Sequence, residues 1–495
     1  MSPHYLEIFV IGLALTLLMA DAFFPAREKR VIAWIGASGL AIVFGLLFVV
    51  DPAALPPDTI APYYSADPHA LFFKGLALIA TIFVLLLGCD FMPVLRRGIN
   101  GADNDRKGGV AESFILPLFA CAGMMWMASA TDLIFLFLSL ELVTISFYVL
   151  VASMRRQVGS LEAGVKYLLL GALSTGMLVY GITWVFGATG MTKMSQLAVA
   201  VPGMTDNIAA LTFGSMLVLA ALAFKVGLFP FHSWIPDVYQ GAPTPVTAFL
   251  AVASKAAAVL VLARFLDPFL NNPEIAAKLI PVLGVISGAT LLFGNLGALG
   301  QYNFKRLMAY SSIAHAGFLL LGILGRDFTL VSFYLGAYVC MTLAAFFAIS
   351  IVRRSVGRDD LSAFNGLARR NPALAFTLVV SAASLAGVPL TAGFIGKFGV
   401  LMGAVNAGYW PLVAVAVPAA AVGFYYYFKI VRHMFWEKPD DLEPLPVGRL
   451  STTALALLTA GTLVLGFYPR LLERAIQDAP IVPIPAATAN TADTP

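Results

Sequence analysis

Fourteen stretches of this 495-residue chain each run for about twenty residues with almost nothing but apolar side chains. The length matters because a bilayer's hydrocarbon core is about 30 Å thick and an α-helix rises about 1.5 Å per residue. The stretches lie near 5–24, 31–50, 71–89, 110–129, 132–153, 162–187, 210–239, 245–266, 276–298, 304–324, 328–353, 372–406, 409–435 and 451–472. Composition agrees: 60% of residues are apolar and 12% charged, against about 25% charged in soluble domains. So little charge cannot cover a water-facing surface of this size. The expected fold class is an all-α polytopic membrane protein of about 14 transmembrane helices.

Loop charges give the expected orientation. Ala20-Asp21-Ala22 resembles a cleavage site, but no Lys or Arg precedes the first run, whereas Arg27, Lys29 and Arg30 follow it. A signal peptide has the reverse order, so the first run is expected to be a retained span with its amino terminus outside. One set of alternating loops holds 20 basic residues, among them Arg96, Arg97, Arg106, Lys107, Arg155, Arg156 and Arg353 to Arg370. The opposite set holds seven: Lys74, Lys193, Arg264, Lys278, Arg326, Arg470 and Arg474. The positive-inside rule then puts the richer set in the cytoplasm and both termini outside.

Four lysines remain, Lys166, Lys225, Lys255 and Lys397, and all fall inside apolar spans with Glu141. A charge at mid-bilayer costs at least about 2.5–3.5 kcal/mol. Burial disfavours an ammonium and a nearby carboxylate favours it, so a lysine whose partner approaches or recedes is a proton site of adjustable affinity. The structural alternative is a set of fixed ion pairs that orient helices. Two spans are also interrupted, at Gly227 and Pro230 soon after Lys225, and at Gly387 and Pro389 before Lys397. Proline removes a backbone donor, and the freed groups are tolerated in a membrane only within protein or beside a wet cavity. Paired interruptions in corresponding spans point to an ion path between inverted five-helix repeats, spans 4–8 and 9–13; kinks for packing alone are the plainer reading.

Other polar residues carry weaker signals. His232 and His315 are possible proton relays, since imidazole titrates near neutrality, or histidines satisfied by neighbours. Ser254, Thr247, Ser311 and Ser312 could hold water or bond back to their own helices. Asp132 and Glu162 suit helix starts, and Tyr425-Tyr426-Tyr427 reads as interfacial anchoring. The three cysteines and five histidines form no spaced metal or cluster set, and there is no phosphate-binding P-loop. No metal, no cofactor and no nucleic-acid partner is expected of this chain.

The stretch Phe224–Ala248, FKVGLFPFHSWIPDVYQGAPTPVTA, resembles the signature of the antiporter-like membrane subunits of respiratory complex I and the related multisubunit cation/proton antiporters. FLSLELVTISFYVL around Glu141, Glu162-Ala-Gly-Val-Lys166-Tyr, Ala253-Ser254-Lys255, FKRLMAYSSIAH ending at His315 and AGFIGKF around Lys397 extend the resemblance over about 110–405. L-type members carry a long lateral helix for which no room follows span 14, and M-type members usually have Glu where Lys397 stands. The wording AYSSIAHAGF and the length are similar to the N-type branch.

The resemblance implies a proton-translocating role in which Glu141 pairs with Lys225, Lys255 is central in a hydrophilic axis, Lys397 leads to the exit side, and Lys166 sits near the pair. It implies that NAD, FMN, iron–sulfur clusters and quinone belong to partner subunits. Those partners would include a second antiporter-like subunit and small membrane subunits, within lipid, in a bacterial inner membrane. The implied organisation is 1–109 as a three-helix extension, 110–266 and 267–435 as the two repeats, and 436–495 as span 14 with a flexible tail. A multisubunit sodium/proton antiporter subunit shares almost every motif, and a structural membrane spacer is the alternative from another class.

Overall fold

The computed structural model describes residues 1–24, 28–57, 59–101, 109–439, 443–476 and 481–482. Arg27, Arg106 and Lys107 of the loop count, and most of the expected tail, lie outside the described residues. Among those residues the chain is helical, with only isolated β-bridges such as Asn303–Asp360.

The first three helices are α1 (Tyr5–Phe23), α2 (Arg30–Leu46) and α3 (Pro68–Asn100). Next come α4 (Glu112–Ser129), α5 (Leu133–Val151), α6 (Val158–Thr189), α7 (Ile208–Val226), the short α8 (Trp234–Gly241) and α9 (Thr244–Leu270). Then follow α10 (Pro273–Leu299), α11 (Phe304–Leu324), α12 (Phe328–Val356), α13 (Pro372–Ala386), α14 (Ala392–Asn406), α15 (Trp410–Phe435) and α16 (Arg449–Phe467), besides short helices at Met194–Ala200, Leu367–Arg370 and Arg470–Ile476. Twelve of these are long and apolar enough to cross a membrane, while α2, α13 and α14 are shorter apolar helices of 15–17 residues. The expected span 7 is thus α7 and α8, and the expected span 12 is α13 and α14.

Local chemistry sets the helix starts. Asp67, Asp132, Asn272, Asn303, Asp327 and Asn371 each accept hydrogen bonds from free N–H groups of the first turn, contacts worth about 1 kcal/mol apiece. Apolarity alone does not sort the helices, because most are hydrophobic all round. Packing does. Helices α9, α11 and α12 are almost wholly enclosed, whereas α1, α6 and α15 turn most of their surface outward. Their outward side chains, such as Leu169, Phe424 and Ile8, form a surface suited to lipid.

Candidate functional site

Each interruption begins where a glycine ends a helix in the left-handed region. Gly227 has φ +87° after α7, and Gly387 has φ +92° after α13. A Cβ at Gly227 would meet Ile235 Cδ1 at 2.1 Å, so the turn has neither the backbone angle nor the room for a side chain. A third irregularity is a π turn over Leu250–Ser254, immediately before Lys255 in α9; such turns recur at functional sites, and nothing in the sequence announces this one.

The lysines of the interior are held by neutral acceptors. Lys225 donates to Thr144 Oγ1 at 2.6 Å, and that hydroxyl in turn donates to Leu140 O at 2.7 Å on α5. Lys255 donates to Ser312 O at 2.6 Å and also to Ser312 Oγ. Lys397 donates to Leu385 O at 2.7 Å and Ala386 O at 3.0 Å, the free carbonyls at the end of α13. Among the described residues none of the three has a carboxylate within 4 Å.

Near Lys255 and Lys397 lie two hydrogen-bonded groups of hydroxyls, one of them holding an imidazole. Tyr239 OH and Ser312 Oγ are 3.3 Å apart, while Ser311 Oγ bonds Tyr427 OH. Tyr427 OH is 3.2 Å from His315 Nε2, and His315 Nδ1 is 2.6 Å from Tyr334 OH. In either neutral tautomer one ring nitrogen of His315 donates and the other accepts, so both hydroxyls are served. Tyr334, Tyr427, Ser311, Ser312 and His315 are all buried. Buried Tyr hydroxyls need such partners.

Four expectations need correction. Glu141 and Lys225 are not a contact pair: Glu141 accepts from Thr175 Oγ1 of α6 at 2.8 Å, and Lys225 binds Thr144, one turn along α5. Lys166 is not in the interior. It pairs with Glu162 at 2.8 Å and Asp237 at 2.7 Å, and its side chain is 42% exposed. Length leaves room for this: the 32 residues of α6 span about 48 Å, more than the roughly 30 Å hydrocarbon layer, and Lys166 lies in its third turn. His232 stays outside the chain around His315, its ring tilted against Phe229 and Phe293 and its Nδ1 buried and unpartnered among the described residues. Tyr425 is exposed as an anchor should be, but Tyr426 and Tyr427 point inward, and Tyr426 donates to Asn295 Oδ1 at 3.1 Å. Of the weaker candidates, Thr247 bonds back to Pro243 O and Tyr239 O.

Sequence reading also took Lys74, Arg264 and Lys305 for loop bases, yet all three are enclosed. Lys74 pairs with Glu7 at 2.8 Å with neither side chain exposed, and Tyr64 OH donates to both Glu7 oxygens at 3.1 Å. Arg264 pairs with Asp67 and donates to Ala128 O. These two are anchors. Neutralising either base would strand a buried carboxylate, at a cost of about 3–5 kcal/mol. An ammonium held by neutral acceptors strands nothing when it gives up a proton. Their signal was available only in part: Glu7 is an acid inside an apolar run, which already calls for a partner.

Residues 130–423 match the family described as NADH:quinone oxidoreductase/Mrp antiporter, transmembrane. A protein of Geobacillus sp. named NADH-quinone oxidoreductase subunit N is 38% identical, over 94% of this chain and 96% of its own length. A chain in the structure of respiratory complex I from Thermus thermophilus with bound aureothin superposes with a TM-score of 0.79 at 30% identity, covering 95% of this chain and 98% of that one. A chain of the Mrp complex from Dietzia sp. shares the fold, with a TM-score of 0.79 at 24% identity over 95% of this chain and 96% of that one. The match along most of the length, with the broken helices and the interior lysines inside it, shows that this chain belongs to the antiporter-like membrane-subunit family of NADH:quinone oxidoreductases and Mrp antiporters.

Proposed function

We propose that the chain is the proton-translocating membrane subunit of an NADH:quinone oxidoreductase, and that protons move along Glu141, Lys225, Lys255 and Lys397. His315 relays between the last two, and Lys166 serves the inner rim. The supporting observation is that the three interior lysines have neutral acceptors only, while Lys74 and Arg264 are locked to carboxylates. An amine so placed can load and release a proton without leaving an opposite charge stranded in the interior. The driving energy comes from electron transfer between NADH and quinone in partner subunits, which hold FMN and iron–sulfur clusters; this chain contributes no redox group.

The same reading assigns 110–266 and 267–435 to two inverted repeats, with 1–109 as an extension and 436–495 as the last span and tail. It puts the chain in a bacterial inner membrane with both termini periplasmic, because the base-rich loops are then cytoplasmic. An impermeant thiol reagent added outside should label a cysteine placed at Ala61 and not one at Ser355; the reverse pattern overturns the orientation. For function, the measurement is proton uptake into sealed vesicles per NADH oxidised, at matched complex content. Lys255→Met should lower the ratio by the share this chain carries. An unchanged ratio rejects the axis and favours a structural spacer.

A further inference from the structure

At the base-rich end, between α6, α8 and the start of α11, a polar cavity of about 370 Å³ opens between Glu162, Asp237, Asn303, Arg306, Arg353 and Asp359. Lys305 lies behind its wall with no exposed side-chain surface. Its Nζ donates to Ala242 O at 2.8 Å, and the nearest carboxylate oxygen, Asp359 Oδ2, is 3.7 Å away. Asp359 does not depend on it. Asn303 Nδ2 donates to Oδ1 at 2.8 Å and Arg353 to Oδ2 at 3.0 Å. Lys305 can therefore lose its charge and leave Asp359 fully paired. In that respect it resembles the interior lysines and differs from the anchors Lys74 and Arg264.

Its place on α11 gives the property a direction. Ser312 follows by seven residues, two turns or about 10 Å further in on the same face. Both residues face the segment of α8: Lys305 at the carbonyl just beyond its end, and Ser312 at the Tyr239 hydroxyl. Ser312 also holds Lys255. Thr244, two residues past Ala242, is fully buried and its hydroxyl has no partner among the described residues. A buried polar atom left in this way is a place for water.

We propose that Lys305 is a proton-relay residue that feeds Lys255 from the inner-face cavity along the seam between α8 and α11. The inference rests on the axis described above. Neutral Lys305 takes a proton from a hydronium in the cavity, which is left as water, and becomes an ammonium. The ammonium releases a proton to water in the seam, the Tyr239 and Ser312 hydroxyls pass it on, and the neutral Lys255 amine receives it. Lys305 is then an amine again, and no electron moves.

The test compares proton uptake per NADH in sealed inside-out vesicles, at matched complex content, for Lys305→Met, Lys305→Arg and Lys255→Met. Both Lys305 variants should lose most of what Lys255→Met loses, because arginine keeps the charge but does not deprotonate. A full ratio in Lys305→Arg, beside a reduced one in Lys255→Met, overturns the relay and leaves the axis standing. A full ratio in Lys255→Met overturns both. Should the Lys305 variants fail to assemble, Met308→Cys on the same seam decides the matter in a background lacking the three native cysteines. A small thiol reagent on the inner face should modify it several-fold faster than Met125→Cys in α4; equal rates mean a dry seam and overturn the route.

Discussion

In the first broken span the lysine precedes the break, and in the second it follows, and only the second binds the end of the leading half-helix. The difference lies in what caps that end. After α7 the indole of Trp234 donates to Phe224 O at 3.0 Å, so the carbonyl is satisfied by a neutral ring and Lys225 is free to reach across to α5. After α13 the corresponding work falls to Lys397 itself, which donates to Leu385 O and Ala386 O. A cation there also gains from the negative end of the helix dipole. The first lysine holds no carbonyl of its own helix end, so its contact with Thr144 is independent of that end. The second cannot move without untying one. The lysine contact is separate from helix-end geometry at the first break and joined to it at the second.

The largest expected effect tests whether Lys225 carries protons at all. Lys225→Arg keeps the charge and can still reach Thr144 or Glu141, but arginine holds its proton throughout. Proton uptake per NADH should fall by this chain's full share, with normal complex content on a native gel. A full ratio removes Lys225 from the path and with it one side of the comparison.

Stability should separate the two caps next. Lys397→Met leaves two buried carbonyls unpaired, each at about 1–3 kcal/mol, whereas Lys225→Met leaves only a threonine hydroxyl that already has a partner. The thermal midpoint of the purified complex's membrane part should drop clearly for Lys397→Met and little for Lys225→Met. Trp234→Phe removes the neutral cap and should bring the first break down by about 1–3 kcal/mol as well. Equal midpoints for all three would show that the caps are not what hold these ends.

A smaller effect concerns the acceptor on α5. With Thr144→Val, Lys225 loses its acceptor on α5, and Glu141 is the carboxylate one turn away on that helix. Combining Thr144→Val with Glu141→Gln should therefore cost more than the sum of the two, with coupling of about 0.5–3 kcal/mol in pumping rate. Strict additivity would mean that Lys225 does not use both. Smallest of all, Tyr427→Phe cuts the link between Ser311 and His315 but leaves His315 bonded to Tyr334. It should slow turnover by a few-fold at most, about 1 kcal/mol, without changing the ratio of protons to NADH.

Much of this was legible in the chain. Apolar runs placed the helices, because length and hydropathy are local properties, and a Gly/Pro cluster within such a run marks a break wherever it occurs. Lys225, Lys255 and Lys397 stood out because an unbalanced cation in hydrocarbon is costly. Rotation and depth were not legible. Tyr425, Tyr426 and Tyr427 are neighbours in sequence but about 100° apart around α15, so one faces outward while two join the polar chain. Lys166 looked interior because the apolar run hides how long α6 is. The separation of Glu141 from Lys225, and the capping by Trp234, depend on distances between helices that no spacing along the chain encodes.

The Glu7–Lys74 pair bears on how the protein is made. During synthesis Glu7 enters the membrane in the first span, while its partner arrives only with the third. A carboxylate facing hydrocarbon alone is costly to insert, so α1 gains its partner only when α3 brings Lys74. The two helices, with Tyr64 between them, then lock as one body before the lysine-bearing helices are translated. These first helices are in this sense a docking frame laid down first, against which α4 and α9 later close through Ala128, Asp67 and Arg264.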